Sequence, residues 1–272
     1  ESTKDAVAPN NKLLSAANSN PFFTILLVYI GCTFISIHYT MLIMKFTEFI
    51  KKELHGWKNF EIIGLTLVFA VILYNAIILH DTPAAIINAV CGILYTIIAG
   101  KGKISCYIFG LLGSGGYIWL AFHNAFWGNM LLSLCYYIPM QILGIFKWKK
   151  HLKPDTGEIK KRSLNLKERL IITFISILGC IITSFILYNF NDKSPIIDGI
   201  TTFLSVVGMY LTVKRAIEQW MIWAIVNGLS LLMWLNLVIH GTKVYSTVLM
   251  WGVYFILAIY FYITWKKELK SY

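Results

Sequence analysis

Negative charge is scarce in this 272-residue chain: 13 Asp and Glu stand against 24 Lys and Arg, and all charged residues together make up only 14%. With 57% hydrophobic residues beside them, that scarcity excludes an ordinary water-soluble domain. Acids are scarcer still within the long apolar runs. Asp198 is the one clear carboxylate inside them, Glu61 lies at the end of a run, and no Lys or Arg falls in the middle of one. A membrane-embedded hydrolase needs paired carboxylates, a His/Asp cluster or a Ser/Lys arrangement, and a proton-coupled pump needs a relay of buried acids or histidines. Neither inventory is present, so an enzyme is not expected. Facilitated transport down a gradient asks least of ionisable groups. The five cysteines (Cys32, Cys91, Cys106, Cys135 and Cys180) are odd in number, lie in apolar runs and form no CxxC or Cys/His cluster. That excludes a disulfide framework and a zinc site, and no metal or cofactor is expected.

What is abundant is apolar length. Runs long enough to cross hydrocarbon, roughly 17–25 residues each, fall near 60–80, 83–100, 104–122, 127–147, 169–190, 195–213, 219–240 and 244–265. A further run, 22–44, carries Thr33, Ser36, His38 and Thr40 and continues into a basic stretch; it reads equally as a span or as an interfacial anchor. It is too long for a signal peptide and has no small-residue cleavage site after it.

The net charge of +11 would suggest nucleic acid in a soluble protein, but its placement points to a bilayer instead. Of the 24 Lys and Arg, 20 sit in alternate connections, around 45–58, 101–103, 147–169, 214–215 and 266–270. This is the positive-inside pattern. It places the loop 148–168 and the C-terminus in the cytoplasm and predicts no nucleic-acid partner.

Two stretches, 83–148 and 195–265, share an order of landmarks. Each opens on proline followed by a polar residue (Pro83 to Asn88, Pro195 to Asp198), reaches a basic pair (Lys101 and Lys103, Lys214 and Arg215), and continues to Gly then Trp-Leu (Gly113 to Trp119-Leu120, Gly228 to Trp234-Leu235). Both finish on one tripeptide, Trp148-Lys149-Lys150 and Trp265-Lys266-Lys267. Two three-helix units inserted in the same orientation need an odd number of spans between them, and 169–190 supplies one. The expectation is therefore an all-α polytopic membrane protein with a 3+1+3 core of parallel repeats. Its divisions are an N-terminal tail and amphipathic or membrane segment (1–58), an extra transmembrane helix (59–82), the first repeat (83–148), a cytoplasmic loop (149–168), the connecting helix (169–190), the second repeat (195–265) and a cytoplasmic tail (266–272). Repeats of this kind mark transporters with the site at the interface of the halves.

Several polar residues stand out against the apolar background. At 100° per residue, Trp220, Trp223, Asn227 and Trp234 fall within about a 60° arc of one helix. Two indole faces beside an amide suit a flat ring, and a cationic ring would gain roughly 0.5–2 kcal/mol from each close face. Trp220 also suits the interfacial aromatic belt. Asp198 is costly to bury and calls for a cationic partner, or else complements the helix start after Pro195; Asn88 has the same two readings. Gln141 follows Pro139 within a helix, where it either satisfies the carbonyl that proline frees or faces a cavity. The stretch Gly110 to Gly116 has no strand before it, so it reads as a packing surface rather than a nucleotide loop.

The segments Lys101-Gly102-Lys103-Ile104-Ser105-Cys106-Tyr107-Ile108-Phe109-Gly110, Tyr136 to Gln141, and Asp198 to Asn227 with its Trp220-x-x-Trp223-x-x-x-Asn227 resemble the PnuC family of bacterial nicotinamide riboside transporters. The resemblance covers roughly 83–267. Where relatives often show Ser-Asn-Tyr, this chain has Ser105-Cys106-Tyr107, and the usual asparagine after Gly-Leu is replaced in Gly113-Ser114-Gly115. The resemblance implies a SWEET-like core in a bacterial cytoplasmic membrane and facilitated diffusion of nicotinamide riboside. It also implies uptake kept one-way by a separate cytoplasmic riboside kinase. Trp220, Trp223 and Asn227 would then recognise ring and amide, Gln141 and Asn88 would make polar contacts, and Asp198 would complement the charge. Thiamine or riboflavin as substrate, or a SWEET-like sugar facilitator, are the alternatives. Homo-oligomers, a trimer among them, would use the N-terminal segments outside the repeat.

Overall fold

The computed structural model describes residues 39, 41, 43–79, 83–123, 127–190, 194–240 and 245–271. Most of the run 22–44 lies outside the described residues. The chain divides into two compact units, Glu1–Leu54 and His55–Tyr272. In the first, helix α1 (Ile43–Leu54) carries an i,i+4 pair between Lys52 and Glu48 at 3.3 Å.

The second unit is helical throughout. It comprises α2 (Asn59–Leu79), α3 (Pro83–Gly100), α4 (Cys106–His123), α5 (Trp127–Leu132), a π-helical turn (Ser133–Tyr137), α6 (Ile138–Lys149), α7 (Leu166–Asn189), α8 (Pro195–Val213), α9 (Glu218–Ile239) and α10 (Tyr245–Lys270). Each apolar run from 60 to 265 is thus realised as helix. Among the described residues, four segments are long and apolar enough to cross a bilayer: Met130–Lys149, Leu166–Asn189, Pro195–Val213 and Val248–Lys270. The outward side of α7 exposes Leu170, Phe174, Ile181 and Phe185. A helix that is apolar all round yet exposed belongs in lipid, so the chain is an integral membrane protein.

Local chemistry sets the helix ends. Asn165 accepts from Glu168 N–H at 2.8 Å while the Glu168 carboxylate accepts from Asn165 N–H, a reciprocal capping box that starts α7. Pro195 takes the first position of α8, where its missing N–H costs nothing. Pro139 cannot donate back to the preceding turn. The chain meets this with the π-helical turn, in which Ile138 N–H reaches Ser133 O. Gln141 does not satisfy a freed carbonyl, because its Nε2 donates to Ser114 Oγ at 2.7 Å.

The packing repeats. α3 lies on α4, and α4 on α5 and α6; α8 lies on α9, and α9 on α10. Between these groups α6 packs on α8, and α10 on α3. The core gathers where those contacts meet, around Ile93, Tyr107, Trp148, Met209, Phe261 and Trp265. Both Trp148 and Trp265 are fully buried, and each indole N–H donates to the end of a helix in the other group: Trp148 to Thr212 O at 3.0 Å, Trp265 to Gly100 O at 2.7 Å.

The loop after α6 crosses this same end of the bundle. Ile159 N–H donates to Gly102 O at 2.9 Å, Arg162 N–H to Arg215 O at 3.0 Å, and Ile217 N–H returns to Arg162 O at 2.9 Å. Gly102 and Arg215, which follow α3 and α8, both adopt left-handed backbone at φ +70° and +60°. The loop is charged yet sheltered. The Lys103 ammonium donates to Thr156 O at 2.6 Å and lies 3.8 Å from Glu158. Burial holds the Lys161 ammonium below the ordinary lysine range, against the opposing pull of the Glu268 carboxylate.

Candidate functional site

Two adjoining cavities open between α3 and α9, sharing Gly92, Tyr95 and Trp223 as common wall. One, of about 240 Å³, is bounded by Trp220, Asn227, Gln219, Trp251 and Tyr254. The other, of about 220 Å³, is bounded by Asn88, Ser114, Tyr117, Tyr137 and Gln141. Five of the six residues assigned to recognition from the sequence therefore line one or the other of these adjoining cavities. A larger cavity of about 630 Å³ lies elsewhere, against α7, and touches none of those six; we place the site where unpartnered polar groups and aromatic faces converge.

Counting from the two left-handed residues, Gly102 and Arg215, the helices α4 and α9 can be compared position by position. Five residues on, Tyr107 and Trp220 each meet the tryptophan closing their own group, Trp148 at 5.0 Å and Trp265 at 5.7 Å between ring centroids. Eight residues on, Gly110 stands where the other helix has Trp223, and twelve on, Ser114 stands opposite Asn227. One side of the site is aromatic and the other is open. A Cβ on Gly110 would lie 2.6 Å from Gln141 Oε1, so the missing side chain makes the room that Gln141 occupies.

Trp223 packs against Gly208, where a Cβ would come within 3.0 Å of the indole, and its Nε1 donates to Thr212 Oγ1 at 3.4 Å. Trp220 is 3% exposed, seated against Phe261 at 5.1 Å, and its Nε1 has no partner. It is thus a core and cavity residue rather than part of an interfacial belt. Gln141 donates from Nε2 to Ser114 Oγ at 2.7 Å, while its buried Oε1 has no partner. Gln219, 1% exposed, likewise leaves Nε2 unpartnered. Asn227 is buried, and its side chain makes no hydrogen bond among the described residues. Each unsatisfied buried group costs about 1–3 kcal/mol, and Trp220, Gln141 and Gln219, which carry them, line the two cavities, a concentration that marks a candidate binding site.

The electrostatics are equally specific. Among the described residues lining both cavities there is no Asp, Glu, Lys, Arg or His. Asp198 stands in the first turn of α8, away from both cavities, where its carboxylate complements the helix N-terminus. Trp234, though on the same helix stripe, does not line them either. Gln219, Tyr95, Trp251 and Tyr254 were not legible as site residues. Only Gln219 gave a signal, as an amide beside Trp220 at the start of an apolar helix.

An apolar helical bundle enclosing an uncharged hollow of aromatic faces and amides defines a polytopic membrane protein with a polar-lined internal cavity. Residues 82–267 match the sequence profile of the nicotinamide mononucleotide transporter family, and the chain belongs to that family. It is 31% identical over 228 residues to the nicotinamide riboside transporter PnuC of Neisseria mucosa, covering 82% of this chain and 87% of that protein. With the PnuC protein of Haemophilus influenzae it is 30% identical, over 79% of this chain and 93% of the relative. The crystal structure of a vitamin B3 transporter PnuC superposes with a TM-score of 0.69 at 31% identity, over 81% of this chain and 97% of the other.

Proposed function

We propose that this protein carries nicotinamide riboside across a bacterial cytoplasmic membrane by facilitated diffusion. The observation that carries the choice of substrate is the absence of any charged side chain among the described lining residues. The mononucleotide of the family's description carries a phosphate, and a buried phosphate without a cation or dense hydrogen bonding is strongly disfavoured. The riboside lacks the phosphate and keeps the pyridinium cation, which aromatic faces hold without a carboxylate. In this reading Trp220 and Trp223 flank the ring. Asn227 pairs with the carboxamide, and Gln141 and Asn88 take the ribose hydroxyls. Asp198 has no role in it, because it lies outside both cavities.

Transport proceeds by alternating access, with the two three-helix units (83–148 and 195–265, joined through 169–190) rocking about the site. The paired contacts of α6 with α8 and of α10 with α3 support this 3+1+3 arrangement. The basic connections give the 148–168 loop and the C-terminus to the cytoplasm. There a separate riboside kinase phosphorylates the arriving substrate, and the charged product no longer fits the uncharged cavity. A homo-oligomer, a trimer among its forms, belongs to the same reading.

The test is isothermal titration of detergent-purified protein with nicotinamide riboside, nicotinamide mononucleotide, thiamine and riboflavin. Saturable binding of the riboside alone, lost in Trp223→Ala, is the expected result. Equal binding of the mononucleotide would overturn the electrostatic argument, and binding of thiamine or riboflavin instead would replace the substrate. Cysteine pairs that lock either mouth without slowing uptake would remove the rocking mechanism.

A further inference from the structure

The cavity of about 630 Å³ is a groove between α7, α8 and α9 that ends against the last turns of α10. Its length is apolar, walled by Ile172, Ile177, Leu204, Met221 and Ile225. Its mouth is not. Arg169, Glu218, Lys266 and Lys270 gather there. Arg169 and Glu218 neutralise one another at 2.8 Å, which leaves the two exposed lysines as net positive charge. About two helical turns below Arg169, Ser176 is 7% exposed and its hydroxyl has no partner.

We propose that this groove binds one anionic glycerophospholipid. A cationic rim at the membrane surface, a buried hydroxyl beneath it and an apolar trough below match such a lipid from phosphate to acyl chain. Lys266 and Lys270 hold the phosphate, Ser176 donates to the ester region, and one chain lies along Ile172, Met221 and Ile225. The site is independent of the substrate reading but adjoins it through α9. Met221 and Ile225 face the groove, whereas Trp220, Trp223 and Asn227 face the central cavities.

Native mass spectrometry of the full-length protein in detergent, with added phosphatidylglycerol or phosphatidylcholine, tests the assignment. One phosphatidylglycerol is retained at least tenfold better than phosphatidylcholine. Lys266→Gln with Lys270→Gln reduces that retention about thirtyfold, as removal of two near-surface cations requires. Ile225→Trp, at a position 47% exposed, fills the trough and abolishes retention of both lipids in protein that still elutes as a single peak. Three results would overturn the proposal. These are equal retention of the two lipids, unchanged retention in the double lysine variant, and displacement by millimolar inorganic phosphate, which marks an ion site rather than a lipid site. Cross-linking between copies through Ile177→Cys would equally reject it, by showing a second chain on the groove.

Discussion

The indole N–H of Trp265 donates to the carbonyl of Gly100 across 2.7 Å, joining residues 165 positions apart. Trp148 does the same to Thr212 at 3.0 Å, so each helix group fastens its last helix to the first helix of the other. Gly100 O, at the C-terminal end of its helix, has no partner there, and the opposite group supplies one; Thr212 O also accepts from Arg215 N–H at 2.9 Å.

Trp265→Phe keeps the ring and removes the donor, leaving Gly100 O buried and unpaired. The expected loss is about 1–3 kcal/mol, read as a lower unfolding midpoint in detergent. Trp148→Phe is expected to cost less, about 0.5–1.5 kcal/mol, because Thr212 O keeps the bond it accepts from Arg215 N–H at 2.9 Å. A shift in neither variant would mean that the braces are incidental.

Trp223 lines both cavities, so its substitution affects both halves of a bound ligand. Trp223→Ala weakens riboside binding by about tenfold or more, from the loss of an aromatic face worth up to about 2 kcal/mol. Trp223→Phe retains most of the affinity. Titration calorimetry on both variants checks the order.

Gln141 separates stability from binding. Gln141→Leu removes the hydrogen bond to Ser114, worth about 1 kcal/mol net, and also removes an unpartnered acceptor that costs about 1–3 kcal/mol. The variant is therefore as stable as the parent or slightly more so, while riboside affinity falls about tenfold. A loss of stability in parallel with affinity would assign Gln141 to packing alone.

At Gly102 the left-handed backbone and a Cβ position 3.0 Å from Ile159 Cγ1 both oppose a side chain. Gly102→Ala costs roughly 1–2 kcal/mol from backbone strain and loosens the loop that Ile159 anchors. Limited trypsin digestion between Lys153 and Lys161 measures this, with faster cleavage expected in the variant.

Much of the architecture was legible because apolar runs in lipid leave few alternatives to helix, and the runs from 60 to 265 all became helices. The matching tripeptides at Trp148 and Trp265 were visible as a repeat. Their cross-bracing was not, because a pattern along the chain carries no information about which carbonyl an indole reaches. Trp220, Trp223 and Asn227 were found through helical phase, and Gln141 and Asn88 as amides in apolar surroundings. Tyr95 and Tyr254 escaped because a tyrosine on an apolar helix looks the same whether it packs or lines a hollow. Asp198 drew notice as a lone carboxylate, yet a first helical turn is where one costs least.

The π-helical turn at Ser133–Tyr137 has an angular consequence. It holds one residue more than an α-turn, and one residue is about 100° of rotation. Everything after it is therefore out of phase with everything before it. That phase step lets a single helix present Ser133 and Tyr137 to the cavity, turn Gln141 toward Ser114, and still deliver Trp148 to Thr212 two turns later. Deleting one residue within the turn would rotate Ser133 by about 100° relative to Gln141 and Trp148, which keep their phase to one another, so the helix could hold Ser133 on the cavity or Gln141 and Trp148 in place, but not both.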